Sequence, residues 1–243
     1  MQFIDTHIHL QDDKSNNATD IINGAVQQGC RKMICVSAVE EDWLKIIQIL
    51  EKEGDKIVPA FGIHPWYVTD TTGGWQTRLQ DILRHYPQAL IGECGLDGLK
   101  PNSELQKSVF REQIDMACQY QRPMVIHAVK AVSLMDGLWQ KLPEKFVFHS
   151  FNGKKEFLQM IIQAGGYVGI GGSLLKTPKA KELLPLIPAD KMLFETDAPF
   201  QAKDSGQILS YLATAAKILN RDLKSFAEQI YNNSEAFIMV KKR

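Results

Sequence analysis

Short apolar runs and longer segments of helical periodicity alternate along the chain. The runs cover Gln2–Asp5, Lys32–Val36, Ile57–Gly62, Ala89–Glu93, Met124–His127, Phe146–His149, Tyr167–Ile170 and Met192–Glu195. Most are continuous rather than alternating, as expected of parallel strands covered on both faces. Between them the pattern predicts helices over Ala18–Gln28, Glu40–Glu53, Trp75–His85, Ser103–Tyr120, Val132–Leu142, Lys154–Ala164, Lys179–Leu186, Ser205–Leu219 and Asp222–Val240. In the fourth, Leu105, Val109, Ile114, Ala117 and Cys118 recur at roughly three- and four-residue steps. Ser103-Glu104-Leu105-Gln106 has the form of a capping box opening that helix. Gly29 suits the C-cap of the first helix, and the second ends at Gly54. Eight strand-then-helix units predict an α/β fold, a (β/α)8 TIM barrel forming one domain over residues 1–243. A doubly wound open sheet is the alternative architecture.

Composition changes this picture little, and charge narrows it. Lysine plus arginine number 28 and aspartate plus glutamate 28, so the chain is formally neutral. That argues against binding nucleic acid through overall positive charge, though not against a local basic patch. The terminal Lys241-Lys242-Arg243 reads as a solvated end. No apolar run approaches the ~20 residues of a membrane span. Met1-Gln2-Phe3-Ile4-Asp5 has no basic n-region and meets an acid at once, so it does not read as a signal peptide. Cys30, Cys35, Cys94 and Cys118 form no C-x-x-C pair and read as structural thiols. The expected compartment is therefore the cytoplasm, where thiols stay reduced. Nothing in the chain points to a membrane or to an obligate protein partner.

The histidines carry the chemistry. His7 and His9 follow the first run as Asp5-Thr6-His7-Ile8-His9. In extended backbone, side chains at i and i+2 point to one side, so two imidazoles can reach one metal ion. Glu93 ends the fourth run, His127 the fifth and His149 the sixth; His64 follows the third and Asp197 the eighth. Barrel enzymes build their active sites at the C-terminal ends of their strands. Only His85 falls within a helix, where it reads as a solvated surface residue. This donor set is too large for one tetrahedral ion and suits two divalent cations sharing a carboxylate: magnesium, manganese or zinc. Such ions lower the pKa of a bound water to roughly 7 and stabilise charge on an attacked oxygen, so the expected reaction is hydrolysis. No G-x-S-x-G elbow, P-loop or G-x-G-x-x-G appears. Gly169-Ile170-Gly171-Gly172 reads as a tight turn after a strand.

At these residues the chain resembles the TatD-type metal-dependent hydrolases, TIM barrels of the wider amidohydrolase-like group. The motifs are Asp5-x-His7-x-His9, Gly62-x-His64-Pro65, Gly92-Glu93-x-Gly95-Leu96-Asp97, Ile126-His127, Phe148-His149-Ser150-Phe151-x-Gly153 and Glu195-Thr196-Asp197-Ala198-Pro199. The resemblance implies that His7 and His9 bind one metal beside Asp197, that Glu93 bridges two, and that His127 and His149 hold the second. It implies Asp197 as general base, so Asp197 and Glu93 are the expected catalytic residues. His64 would contact a substrate phosphate. Asp5 and Glu195 would orient ligands, and Asp97 would be structural. Known members are often deoxyribonucleases, which implies a phosphodiesterase with DNA as substrate. The chain departs from the family at the substrate rim. Gly98-Leu99 replaces an aromatic pair, Val129 stands where an arginine is common, and Phe200-Gln201-Ala202-Lys203-Asp204-Ser205-Gly206 replaces an arginine-rich stretch. The alternative expectation is therefore hydrolysis of a small phosphate ester, amide or lactone without action on DNA.

Overall fold

The structure is a computed structural model that describes residues 1–12 and 17–240. The Lys241-Lys242-Arg243 tail, expected to be a solvated end, lies outside the described residues. Eight strands pair in parallel in chain order: β1 (Phe3–Ile8), β2 (Cys30–Val36), β3 (Ile57–Phe61), β4 (Leu90–Asp97), β5 (Met124–Val129), β6 (Phe146–Phe148), β7 (Tyr167–Ile170) and β8 (Met192–Phe194). A bridge from Ile8 to Ala198 brings the first strand against the segment after the last, so the sheet curls into a nearly closed barrel. The predicted (β/α)8 fold is the observed one.

The helices are α1 (Ala18–Gln27), α2 (Glu41–Glu53), α3 (Trp75–His85), α4 (Ser103–Tyr120), α5 (Lys155–Gln163), α6 (Gly172–Leu175), α7 (Lys179–Leu183), α8 (Gln207–Ile218) and α9 (Leu223–Ile238). Three local readings are corrected. The helix expected over Val132–Leu142 is two 3₁₀ turns, Ser133–Met135 and Trp139–Lys141. Gly137 between them takes a φ of 75°, which a helix cannot continue through. The helix expected to reach Leu186 stops at Leu183, and a 3₁₀ turn containing Pro185 follows; proline has no N–H for the next helical bond. The Ser103–Gln106 capping box does not form. The Gln106 side chain instead accepts from the Asp97 N–H (2.8 Å) and donates to the Pro101 carbonyl (2.9 Å), tying α4 to the end of β4.

Two apolar layers follow from the alternation along each strand. Ile4, Ile34, Val36, Val58, Ala60, Leu90, Val125, Val147 and Leu193 touch one another inside the barrel, with Phe237 and Ile238 of α9 packed against them. Their neighbours along the strands, such as Met33, Cys35, Met124, Ile126, Phe146 and Phe148, pack outward against the helices. The strands are buried on both faces, which is why their sequences read as continuous apolar runs.

Cys30, Cys35 and Cys94 are buried in this packing, while Cys118 is exposed. Burial pushes the Cys30 and Cys35 thiols up to about 12, and the thiolate is the reactive form. A maleimide reagent is therefore expected to label Cys118 alone in the native protein and all four cysteines after denaturation. Mass spectrometry reads the difference; native labelling of Cys35 would contradict the packing.

Candidate active site

Strict alternation from the lower barrel would turn His7, His9 and Glu93 away from its axis. In β4, Leu90 faces the interior and Ile91 the helices, so counting by twos sends Glu93 outward. The pairing of β4 with β5 is irregular between Ile91 and Cys94. Beyond it Cys94 and Leu96 pack outward, so Glu93 and Asp97 turn inward. Gly92 permits this crossing, since a Cβ there would lie 2.7 Å from Val125, and one on Gly95 would lie 2.1 Å from the His127 carbonyl oxygen. β1 uses the same device. Its register shifts between Asp5 and Ile8; Ile8 packs outward, which leaves His7 and His9 facing in. In β5 and β6 no shift is needed, because His127 and His149 lie two residues beyond inward-facing Val125 and Val147.

His7, His9, His127, His149 and His64 converge on the two oxygens of Glu93. Oε2 lies 3.2 Å from His7 Nε2 and 3.5 Å from His9 Nε2. Oε1 lies 2.8 Å from His149 Nε2, 2.9 Å from His127 Nδ1 and 3.2 Å from His64 Nε2. Asp197 Oδ1 closes the first half, 3.5 Å from His9 Nε2 and 3.8 Å from His7 Nε2. All of these residues are buried. Burial by itself would raise the pKa of Glu93, but the imidazoles of His149, His64 and His7 outweigh it and hold the carboxyl well below the usual range. Burial pushes His64 and His7 down, towards the neutral imidazole.

Hydrogen bonds to the far ring nitrogens set the tautomers. His64 Nδ1 accepts from the Trp66 backbone N–H (3.1 Å), so in the neutral ring the proton sits on Nε2 and points at Glu93. In that tautomer His64 Nε2 donates to Glu93 Oε1. His127 Nε2 faces Asp97 Oδ2 at 3.3 Å, so the neutral ring with its proton there would aim its Nδ1 lone pair at Glu93 Oε1; burial opposes the charged ring, but the bonds to Asp97 and Glu93 outweigh it and raise its pKa. Two acceptors at 2.9 Å require a proton or a metal ion between them. His7 Nε2 and His9 Nε2, 3.1 Å apart beside Glu93 Oε2, pose the same requirement. Three overlapping trios — His7, Glu93 and His149; His7, His9 and Asp197; His64, Glu93 and His127 — each keep one donor atom per residue within 4.8 Å of the others. A buried set of imidazole nitrogens and carboxylate oxygens at this spacing fits divalent cations.

The TatD related DNase family model matches residues 4–239. The chain belongs to that family. It is a TatD-family metal-dependent hydrolase. It is 25% identical to YjjV of Escherichia coli K12, an uncharacterized metal-dependent hydrolase, over 98% of both chains. It is 35% identical to the 3'-5' ssDNA/RNA exonuclease TatD of Citrobacter koseri over 57% of this chain and 56% of that relative. The crystal structure of Escherichia coli YjjV shares the fold, with a TM-score of 0.88 at 24% identity over 97% of each chain. No described helix is long and apolar enough to cross a membrane.

The outer residues divide differently from expectation. Glu195 does approach the His149 ring: its Oε1 lies 3.6 Å from His149 Nδ1 and accepts from the Ser150 N–H. Asp5 instead acts through backbone. It accepts from the Thr196 N–H (3.0 Å), the Thr196 hydroxyl (2.5 Å) and the Ser205 hydroxyl (2.7 Å), clasping β1 to the segment that carries Asp197. Burial raises its pKa to about 7 against those hydrogen bonds. Asp97 is part of the site, not only of the scaffold. Beside His127 it accepts from Trp66 Nε1 (2.6 Å) and the Leu99 N–H (2.9 Å). No spacing in the sequence pointed to Trp66, and Asp97 entered only as the last residue of the Gly92–Asp97 motif, read there as structural.

Asp97→Asn can present an N–H to His127 Nε2, which moves the ring proton to Nδ1 and removes the lone pair aimed at Glu93. Divalent-cation affinity is expected to fall by about 10- to 100-fold, read by calorimetric titration with circular dichroism unchanged. Unaltered affinity would show that Asp97 does not set the tautomer.

Proposed function

We propose that the protein is a phosphodiesterase of the deoxyribonuclease type that uses two divalent cations, magnesium, manganese or zinc. His7, His9 and Asp197 would hold one, His127 and His149 the other, with Glu93 shared between them. The observation that carries this reading is the division of Glu93, whose Oε2 faces His7 and His9 and whose Oε1 faces His127 and His149, with His64 beside them. The nuclease names of relatives such as the Citrobacter koseri exonuclease support the substrate class.

Bound cations would supply Lewis-acid charge at the phosphoryl oxygen and acidify the attacking water. The remaining work falls to the side chains. Asp197 is the general base, its Oδ2 fixed by a 2.5 Å hydrogen bond from the Gln201 amide. Burial opposes its ionisation, but the bond to His9 and the charge of His7 outweigh it and keep the carboxyl below its ordinary value, so the base is ready at neutral pH. His64 offers its Nε2 proton to a non-bridging substrate oxygen at the mouth of the site. The site lies in a cavity of about 370 Å³ that also takes in Trp66, Tyr67, Ser150, Phe200 and Gln201.

A second reading, hydrolysis of a small phosphate ester, amide or lactone, is favoured by one specific feature. No lysine or arginine lines that cavity among the described residues. The test is to strip the protein of metal, restore magnesium, manganese or zinc, and offer single-stranded DNA, duplex DNA and a chromogenic phosphodiester. DNA cleavage that disappears in Asp197→Asn and His127→Ala is the expected result. Cleavage that persists in both would mark a contaminant and remove the nuclease reading; activity on the small ester alone would favour the second.

A further inference from the structure

The mouth of the cavity is aromatic. Trp66 is 49% exposed, Tyr67 36% and Phe200 66%, and all three line it. Phe200 stands edge-on to His9, with ring centroids 5.0 Å apart, on the half of the site formed by Glu93 Oε2. Trp66 stands edge-on to His64 at 5.3 Å, on the half formed by Oε1. The two rings therefore flank the histidine cluster from opposite halves. Trp66 is held in place, since its indole N–H donates to Asp97 at 2.6 Å and the Lys100 ammonium lies 4.1 Å from its ring centroid. Lys100 itself does not line the cavity. Proteins that track a nucleic-acid backbone pair its phosphates with lysine and arginine, and their affinity collapses as salt rises. A fixed aromatic surface binds flat rings instead, by stacking that tolerates any base.

We propose that this site takes a compact substrate, one phosphate ester joined to one flat aromatic ring, and that Trp66 and Phe200 select it by holding the ring while the phosphate meets the histidine cluster. This deepens the second reading, hydrolysis of a small phosphate ester, and rests on the same cavity being the substrate site. The ring belongs either to a nucleotide or to a simple aryl ester; both present the same chemistry to the rim. Length is then not a source of affinity, because the phosphates of further nucleotides meet no cation among the described residues of the cavity.

The test is equilibrium binding to the metal-loaded protein, followed by calorimetry, with thymidine 5'-monophosphate, ribose 5-phosphate and p-nitrophenyl phosphate. The first two share the phosphate and differ in the ring. Thymidine monophosphate is expected to bind about tenfold more tightly than ribose phosphate. Phe200→Leu and Trp66→Leu should each shrink that ratio, while Trp66→Phe, which keeps a ring and loses the N–H, should preserve most of it. p-Nitrophenyl phosphate binding like thymidine monophosphate assigns the rim to any aryl group; binding like ribose phosphate assigns it to a nucleotide. Equal affinity for the first two, or a ratio that survives both leucine variants, overturns the proposal. So does an affinity for a single-stranded oligonucleotide that rises steeply with its length and falls steeply with salt. Ring-selective binding without phosphodiester hydrolysis would overturn the reaction and leave this inference standing.

Discussion

Glu93→Gln is expected to lower hydrolysis by about a thousandfold, the scale seen when a single pre-organised charge-stabilising group is removed. It is also expected to abolish simultaneous binding of two cations. Glutamine has nearly the same shape, so the loss is electronic. One oxygen becomes an NH₂, which cannot accept, and the side chain loses its charge. Glu93 has an imidazole nitrogen between 2.8 and 3.5 Å away on each of five histidines, and none of its carboxylate partners there is a lysine or arginine. Removing its charge strips the carboxylate that faces both halves of the site. Metal stoichiometry by mass spectrometry of the loaded protein, with circular dichroism as the check on folding, separates this from unfolding. A folded variant that still binds two cations would refute the bridging role.

Asp197→Asn should act on the chemical step. The expected fall in kcat is about 10²- to 10⁴-fold, the usual contribution of general acid–base catalysis. KM should change much less, because Asp197 is one of several groups around the first pair of histidines and the aromatic mouth is untouched. The Asp197 N–H donates to the His7 carbonyl at 2.9 Å, and its backbone sits at a φ of 52°, a conformation asparagine also tolerates. The substitution therefore leaves the backbone in place. Single-turnover kinetics beside a metal titration checks the assignment. A variant with normal kcat and weakened metal binding would make Asp197 a ligand and not the base.

Much of this was readable in the chain. The eight strands appear as continuous apolar runs because each is covered on both faces, and their order needs no inference beyond consecutive parallel pairing. The expected ligands are legible because each follows or ends a run, and strand ends in a barrel share one face. Where local prediction failed, one residue or one competing contact was responsible. Gly137 divides what periodicity joined, Pro185 tightens the last turn of α7, and Gln106 leaves the capping box for the backbone of Asp97.

By itself the sequence predicted the barrel, the histidines and acids that meet at one end of it, and hydrolysis as the class of chemistry, since all three rest on residue type and on position along a strand. Only the tertiary structure decided how those donors meet. Alternation sends Glu93 outward; a register shift that depends on the neighbouring strand sends it inward. The donor nitrogen of His64 is chosen by the backbone of Trp66, and that of His127 by Asp97, 30 residues away in the chain. A neutral count of charges left open where the cations lie, and folding places none of them in the described lining of the cavity. Periodicity records which face of an element is buried, whereas a site depends on register and on contacts between strands distant in sequence, which no local pattern encodes.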